Sequence, residues 1–310
     1  MNPKLSLCVP TNGIVEWVVP VIESIYSQGV DDQLFEVVIS DNGENSCLEE
    51  SISKFINEHT NCHYQKSEAK MFQNQIACFS MAQGNLIKFI NHRMTMLPGS
   101  IKYLLDFEEK NKSEKPIVYF SNGVLPVAEE LKVASFDEFV RNLSIYSSWS
   151  AGLCFWKEDF EKLPGDMVYN NMFPHISILF YYTMRDKYVI KNTKILFESD
   201  TDATKKGKYN LFATFAVDYP AVLRQLVVDS AITEETYDFV IKELIVFLAN
   251  LYAEYVLAKV PCSYNLEGSD AHIKQLIGEK EFKKFLCLAN KRRLRLYLSK
   301  IKRKMMRGKR

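Results

Sequence analysis

The stretch AQGNLIKFINHRMTMLPG, residues 82–99, decides how the chain is read. Gly84 marks a helix end, residues 85–90 form a short apolar run that reads as a buried strand, and Asn91-His92-Arg93 breaks the run ahead of a Pro98-Gly99 turn. Polar side chains at the carboxyl end of a strand lie where open α/β sheets bind ligands. Asn91, His92 and Arg93 are therefore the first candidates for chemistry, although no role for His92 can be read from the sequence.

Upstream, residues 5–9 (LSLCV) form an apolar strand closed by Pro10-Thr11-Asn12-Gly13. A helix over 16–28 follows, with Val18, Val21, Ile22 and Ile25 on one stripe, and then a second buried strand, 35–40, that ends in Asp41-Asn42-Gly43. Strand, crossover helix and strand of like character indicate a parallel βαβ unit. A helix over 47–59, a strand over 61–65 and a helix over 74–83 lead back to the opening stretch. The strand ends at Asp41 and Asn91 then open toward one edge of the sheet and build a cleft.

Downstream, the pattern predicts a helix over 100–110, a strand over 116–121, a helix over 136–143, a strand over 153–156 and a helical turn over 158–163. A helix over 176–184 behind Pro174-His175 and a strand over 188–197 complete this half. A polar loop, 199–210, precedes three helical stretches, 211–228, 233–260 and 270–306. The expected organisation is an α/β domain over 1–200, a helical region over 201–290 and a basic amphipathic tail over 291–310.

The near-neutral net charge of +1 conceals an asymmetry. Eleven of the 39 Lys and Arg residues fall in 291–310 with no acid among them, which leaves 28 against 38 acidic residues elsewhere, about −10. The tail places Leu294, Tyr297, Leu298, Ile301 and Met305 on one helical face, the pattern of a helix that lies on an anionic membrane surface. Nucleic acid is the less favoured use of the same charges. Seven scattered cysteines with no C-x-x-C pair, and no signal-peptide pattern, predict a reducing, cytoplasmic setting without disulfides or a zinc site. The longest apolar run, 244–260, contains Glu254 and Lys259 and reads as a buried helix, so no membrane span is expected.

These residues together resemble the family-two glycosyltransferases. Leu5 to Thr11 with Ser24-Ile25-Tyr26-Ser27-Gln28 is similar to that family's opening strand and helix, and Glu36 to Gly43 is similar to its second strand, which ends in Asp-Asp-Gly or Asp-Asn-Gly. Asn74, Ala82-x-Gly84, the strand and Leu97-Pro98-Gly99 match the segment that carries its D-x-D motif, and residues 149–157 resemble the acceptor-side strand. The resemblance covers roughly residues 4 to 200. It implies a Rossmann-like type A glycosyltransferase fold in which a nucleotide-binding half is fused to an acceptor-binding half. The activity implied is inverting transfer of a sugar from a nucleotide-sugar donor, UDP-linked by expectation, to a lipid-linked oligosaccharide in capsule, O-antigen or related surface-polysaccharide assembly. The rival reading is a non-catalytic scaffold of the same fold. The implied location is cytoplasmic, peripheral on the inner face of the cell membrane.

The resemblance also distributes roles. Asp41 would accept the imide N–H of the base, with Asn42 and Asn74 beside it and Pro10 and Thr11 walling the base and ribose. The two D-x-D aspartates, which hold Mg or Mn in the family, fall at Asn91 and Arg93. A guanidinium repels a metal ion but grips phosphate oxygens itself, so the expectation is donor binding by Arg93 with no metal cofactor. The position of the catalytic base falls at His175, with Asp166, Glu158 and Asp159 as fallbacks. Trp149, ahead of Trp156, would stack on the acceptor sugar, and Lys206, with Lys205 and Lys208, would close over the diphosphate.

Overall fold

The computed structural model describes residues 2–44, 46–198 and 202–307, with side chains described through Leu298. The chain divides into two compact units, Met1–Asp200 and Thr201–Arg310.

The first unit contains β1 (Leu5–Thr11), α1 (Val15–Tyr26), β2 (Phe35–Asp41), α2 (Cys47–Glu58), β3 (Cys62–Lys66), α3 (Asn74–Met81), β4 (Leu86–Phe89) and β5 (Met94–Met96). It continues through α4 (Ser100–Asn111), β6 (Ile117–Phe120), β7 (Glu130–Val133), α5 (Phe136–Leu143), β8 (Leu153–Trp156), α6 (Lys157–Glu161), α7 (Pro174–Leu179), β9 (Tyr188–Lys191) and β10 (Leu196–Glu198). Eight strands form one sheet in the order β3-β2-β1-β4-β8-β6-β9-β7. The first four are parallel; β1, β2 and β4 are buried along their length beneath crossover helices, while β3 (CHYQK) is a mostly polar edge strand. β8 enters antiparallel between β4 and β6 and joins the two halves.

Two strands escape the sequence reading. β7 carries the edge pattern Glu130-Leu131-Lys132-Val133, too polar for an apolar-run criterion, and β5 is only three residues long. The single strand expected over 188–197 is two strands in different sheets, since β10 pairs antiparallel with β5. Asparagines hold the break open. Asn192 Nδ2 donates to the Leu125 and Val127 carbonyls at 2.9 Å each, and Asn122 Oδ1 accepts the Ile195 and Leu196 N–H groups at 2.8 Å each.

The second unit is helical: α8 (Leu211–Ala213), a π turn (Thr214–Asp218), α9 (Tyr219–Val228), α10 (Glu234–Leu251), a second π turn (Tyr252–Leu257), α11 (Ser269–Ile277) and α12 (Glu279–Arg307). Thr233 caps α10 by accepting the Thr236 N–H at 3.1 Å. Gly278, at φ 81°, splits the helix expected over 270–306 into α11 and α12. Within 244–260, Leu244, Leu248, Ala249, Tyr252 and Ala253 are buried, so this run packs the core. Residues 211–228 are the one described helical stretch long and apolar enough to cross a membrane, and 44% of it is buried. α12 runs through residue 290 without a break and exposes Leu294, Tyr297 and Leu298; the side chains of Ile301 and Met305 lie outside the described residues.

Candidate functional site

The site begins as strand register. Thr11 stands opposite Asp41 where β1 pairs with β2, and Cys8 stands opposite Phe89 where β1 pairs with β4, so the three carboxyl ends lie side by side. Asn74 locks two of them. Its buried amide donates to the Thr11 carbonyl at 3.1 Å and the Ser40 carbonyl at 2.8 Å and accepts the Ser40 hydroxyl at 2.7 Å. Both amide hydrogens are thereby used on the two strand ends. It shapes the site from beneath.

Asp41 is fully buried at the end of β2. Its Oδ1 accepts the Gly43 N–H at 2.8 Å, while Oδ2 accepts the Tyr64 hydroxyl at 3.0 Å and the Lys66 ammonium at 3.1 Å. Desolvation and this carboxylate together raise the Tyr64 phenol pKa above its ordinary value. A carboxylate so enclosed forms the floor of the strand-end cluster. Gly43 is required here, because a Cβ would stand 2.3 Å from the Asn12 carbonyl oxygen. Asn42 spends both amide hydrogens on the Ala69 and Met71 carbonyls, at 2.8 and 3.1 Å, holding the loop behind β3. Pro10 is buried inside β1 and offers no wall.

At the end of β4 the candidates lie close together. Asn91 Oδ1 accepts the Arg93 N–H at 3.2 Å, an Asx turn that fixes the strand end. The Arg93 guanidinium lies 6.0 Å from the centre of the Trp17 ring, and its Nε lies 3.8 Å from the Glu198 carboxylate on β10. His92 packs edge-on to Trp17 at 5.2 Å, and its Nδ1 is 2.8 Å from the Thr11 hydroxyl. Burial, and then the charge of Arg93, pull the His92 pKa down to about 3. The imidazole is neutral at pH 7.

The acceptor-side elements meet the same strand through a buried cation. Lys88, on β4, is wholly buried, and its ammonium donates to the carbonyls of Ala151, Phe89 (3.0 Å) and Leu153 (3.2 Å); desolvation lowers its pKa to about 8. It ties the 149–153 turn to the strand that delivers Arg93. Trp149 is half-buried in that turn, and its carbonyl accepts the Tyr119 hydroxyl at 2.8 Å. Gly152 admits the Tyr119 ring, whose Cζ would lie 1.9 Å from any Cβ there. Trp156 is core, donating its indole N–H to the Pro116 carbonyl at 2.9 Å.

His175 lies at the start of α7. The residue is 2% exposed, neither ring nitrogen makes a well-formed hydrogen bond among the described residues, and burial, offset in part by the backbone of Ser147 and Ser148, lowers its pKa to about 4. Of the fallbacks, Asp159 is buried against Arg185, Glu158 pairs on the surface with Lys115 and Lys162, and Asp166 is exposed. Lys205, Lys206 and Lys208 belong to the second unit, where the Lys206 carbonyl accepts the Ser263 hydroxyl at 2.6 Å.

No protein-family model and no curated protein sequence matches this chain. Solved structures do. A 1–349 fragment of S. aureus TarS in complex with UDP-GlcNAc superposes with TM-score 0.55 at 13% identity, over 95% of this chain and 89% of that one. The same fragment with UDP gives 0.54 at 14% identity over the same shares, and full TarS gives 0.55 at 12% identity over 94% of this chain and 54% of that one. The chain has the type A glycosyltransferase fold.

The resemblance aligns the D-x-D aspartates with Asn91 and Arg93, at the carboxyl end of β4. Among the described residues no group of three or more His, Cys, Asp or Glu side chains could hold a metal ion. The residues present do not fit a metal. Sequence reading missed Trp17, Tyr64, Lys66 and Glu198, which lie on neighbouring elements and gain meaning only from the register. For His92, its place in the polar break was the available signal.

Proposed function

We propose that the protein transfers a sugar from a nucleotide-sugar donor, UDP-linked, to a lipid-linked oligosaccharide of a surface-polysaccharide pathway, with inversion at the anomeric carbon and without a metal ion. What supports this reading is the type A glycosyltransferase fold together with Arg93 at the carboxyl end of β4, the position that the family resemblance matches to the D-x-D motif. A guanidinium there supplies the positive charge that the leaving diphosphate requires, and its planar fork suits two phosphate oxygens at once. The UDP preference follows the family resemblance and the TarS complexes with UDP and UDP-GlcNAc. Basic α12, with its exposed Leu294, Tyr297 and Leu298, supports a peripheral place on an anionic cytoplasmic membrane face, where a lipid-carried acceptor is found. The functional test is release of UDP from a panel of UDP-sugars in the presence of lipid-linked acceptors and EDTA.

A second reading is a non-catalytic relative that binds the nucleotide sugar inside an assembly complex. The sealed imidazole of His175 at the base position favours it. Donor binding without turnover across the panel is its signature.

A further inference from the structure

His92 occupies the polar break beside Arg93, and the hydrogen bonds around it determine where its proton sits. The Thr11 hydroxyl is 3% exposed and has two neighbours: the Gly13 N–H donates to its oxygen at 3.1 Å, and His92 Nδ1 lies 2.8 Å away. The Gly13 N–H can only give. If Nδ1 also carried a proton, the threonine hydrogen would be buried without an acceptor, which costs about 1–3 kcal/mol. The Thr11 O–H therefore donates to a bare Nδ1, and the neutral ring carries its proton on Nε2. That nitrogen has no partner within the protein and is not among the buried unsatisfied atoms.

We propose that His92 binds the donor's diphosphate through a neutral Nε2–H, set beside the charged fork of Arg93, with Thr11 as the positioning residue that fixes the tautomer. The proposal rests on the nucleotide-sugar reading and names the ligand class that this nitrogen meets: a nucleoside diphosphate. The low pKa of His92 agrees, because a ring that resists protonation remains a one-proton donor throughout the physiological range. A neutral donor next to a cation also avoids the repulsion that a second positive charge would meet.

The experiment uses the whole protein labelled with 15N at the histidine imidazoles, with His92 assigned by loss of its signals in His92→Gln. Long-range 1H–15N spectra at pH 7 are expected to show a protonated Nε2 and a bare Nδ1, and titration with UDP should shift Nε2. Thr11→Val should mix the tautomers, whereas Thr11→Ser should retain the parent pattern. His92→Gln, whose amide N–H can reach the same point, should keep UDP affinity within about threefold, while His92→Ala should lose about tenfold. A parent ring protonated on Nδ1, or on both nitrogens, overturns the proposal, as does UDP binding that leaves Nε2 unmoved. Absence of any UDP binding with the Nε2–H tautomer intact overturns the nucleotide-sugar reading, and the diphosphate contact with it.

Discussion

Arg93 Nε lies 3.8 Å from the Glu198 carboxylate, across the small sheet formed by β5 and β10. The guanidinium is thus held at the site by an exposed acid that shares its sign with a diphosphate. An incoming UDP must compete with Glu198 for the same charge. Substituting Glu198→Gln removes the competitor, and calorimetric titration should show UDP binding about two- to fivefold tighter, the measure of a partly exposed ion pair. Weaker binding in Glu198→Gln would mean that the carboxylate serves to aim Arg93.

The 149–153 turn depends on a glycine. Tyr119 fills the space where a Gly152 side chain would stand, and the same tyrosine donates to the Trp149 carbonyl. Gly152→Ala should cost about 1–3 kcal/mol of unfolding free energy through overpacking. Chemical denaturation measures the loss, and fluorescence in a Trp17→Phe/Trp156→Phe background should show Trp149 displaced. An unchanged denaturation midpoint would show that Tyr119 moves aside freely.

Buried neutral histidines give the chain an acid limb. The pKa of His175 falls from the ordinary 6.5 to about 4 and that of His92 to about 3. Between those values and 6.5 the unfolded chain binds protons that the folded chain refuses, so stability is full above pH 6.5 and declines as pH falls through the window. For His175, the shift amounts to about 3 kcal/mol. His175→Leu, which also removes two unsatisfied buried nitrogens, should flatten the slope of unfolding free energy between pH 6.5 and 4 without lowering stability at pH 7. A catalytic imidazole would instead cost about 10²- to 10⁴-fold in rate on the same substitution. A steep slope retained in His175→Leu assigns the acid limb to other groups.

The parallel half of the sheet was legible because each strand is a short apolar run closed by a turn signal, and crossover helices carry a clear 3.6-residue stripe. For the same reason Asp41, Asn91 and Arg93 could be placed at neighbouring strand ends. Roles were less legible, since they depend on how many hydrogen bonds a side chain has already spent. Asn74 and Asn42 use both amide hydrogens on carbonyls, and Asp41 is saturated by Gly43, Tyr64 and Lys66, partners that no local pattern announces. His175 stands at a helix start as expected of a base, yet packing seals it. β5 was missed and β10 was merged into the strand expected over 188–197, because three-residue strands are too short for periodicity, and with them went Glu198, the acid that faces Arg93.

On the proposed reading, the Arg93 guanidinium takes over at the aligned D-x-D position the task of a divalent metal ion. Calorimetric titration of UDP into the parent protein and into Arg93→Ala, each in EDTA and in MgCl2 or MnCl2, tests it directly. Equal affinity of the parent with and without the ions, and a loss of roughly 10- to 100-fold in Arg93→Ala, is the predicted result. UDP binding that requires the ion, or that Arg93→Ala leaves unchanged, would contradict the claim.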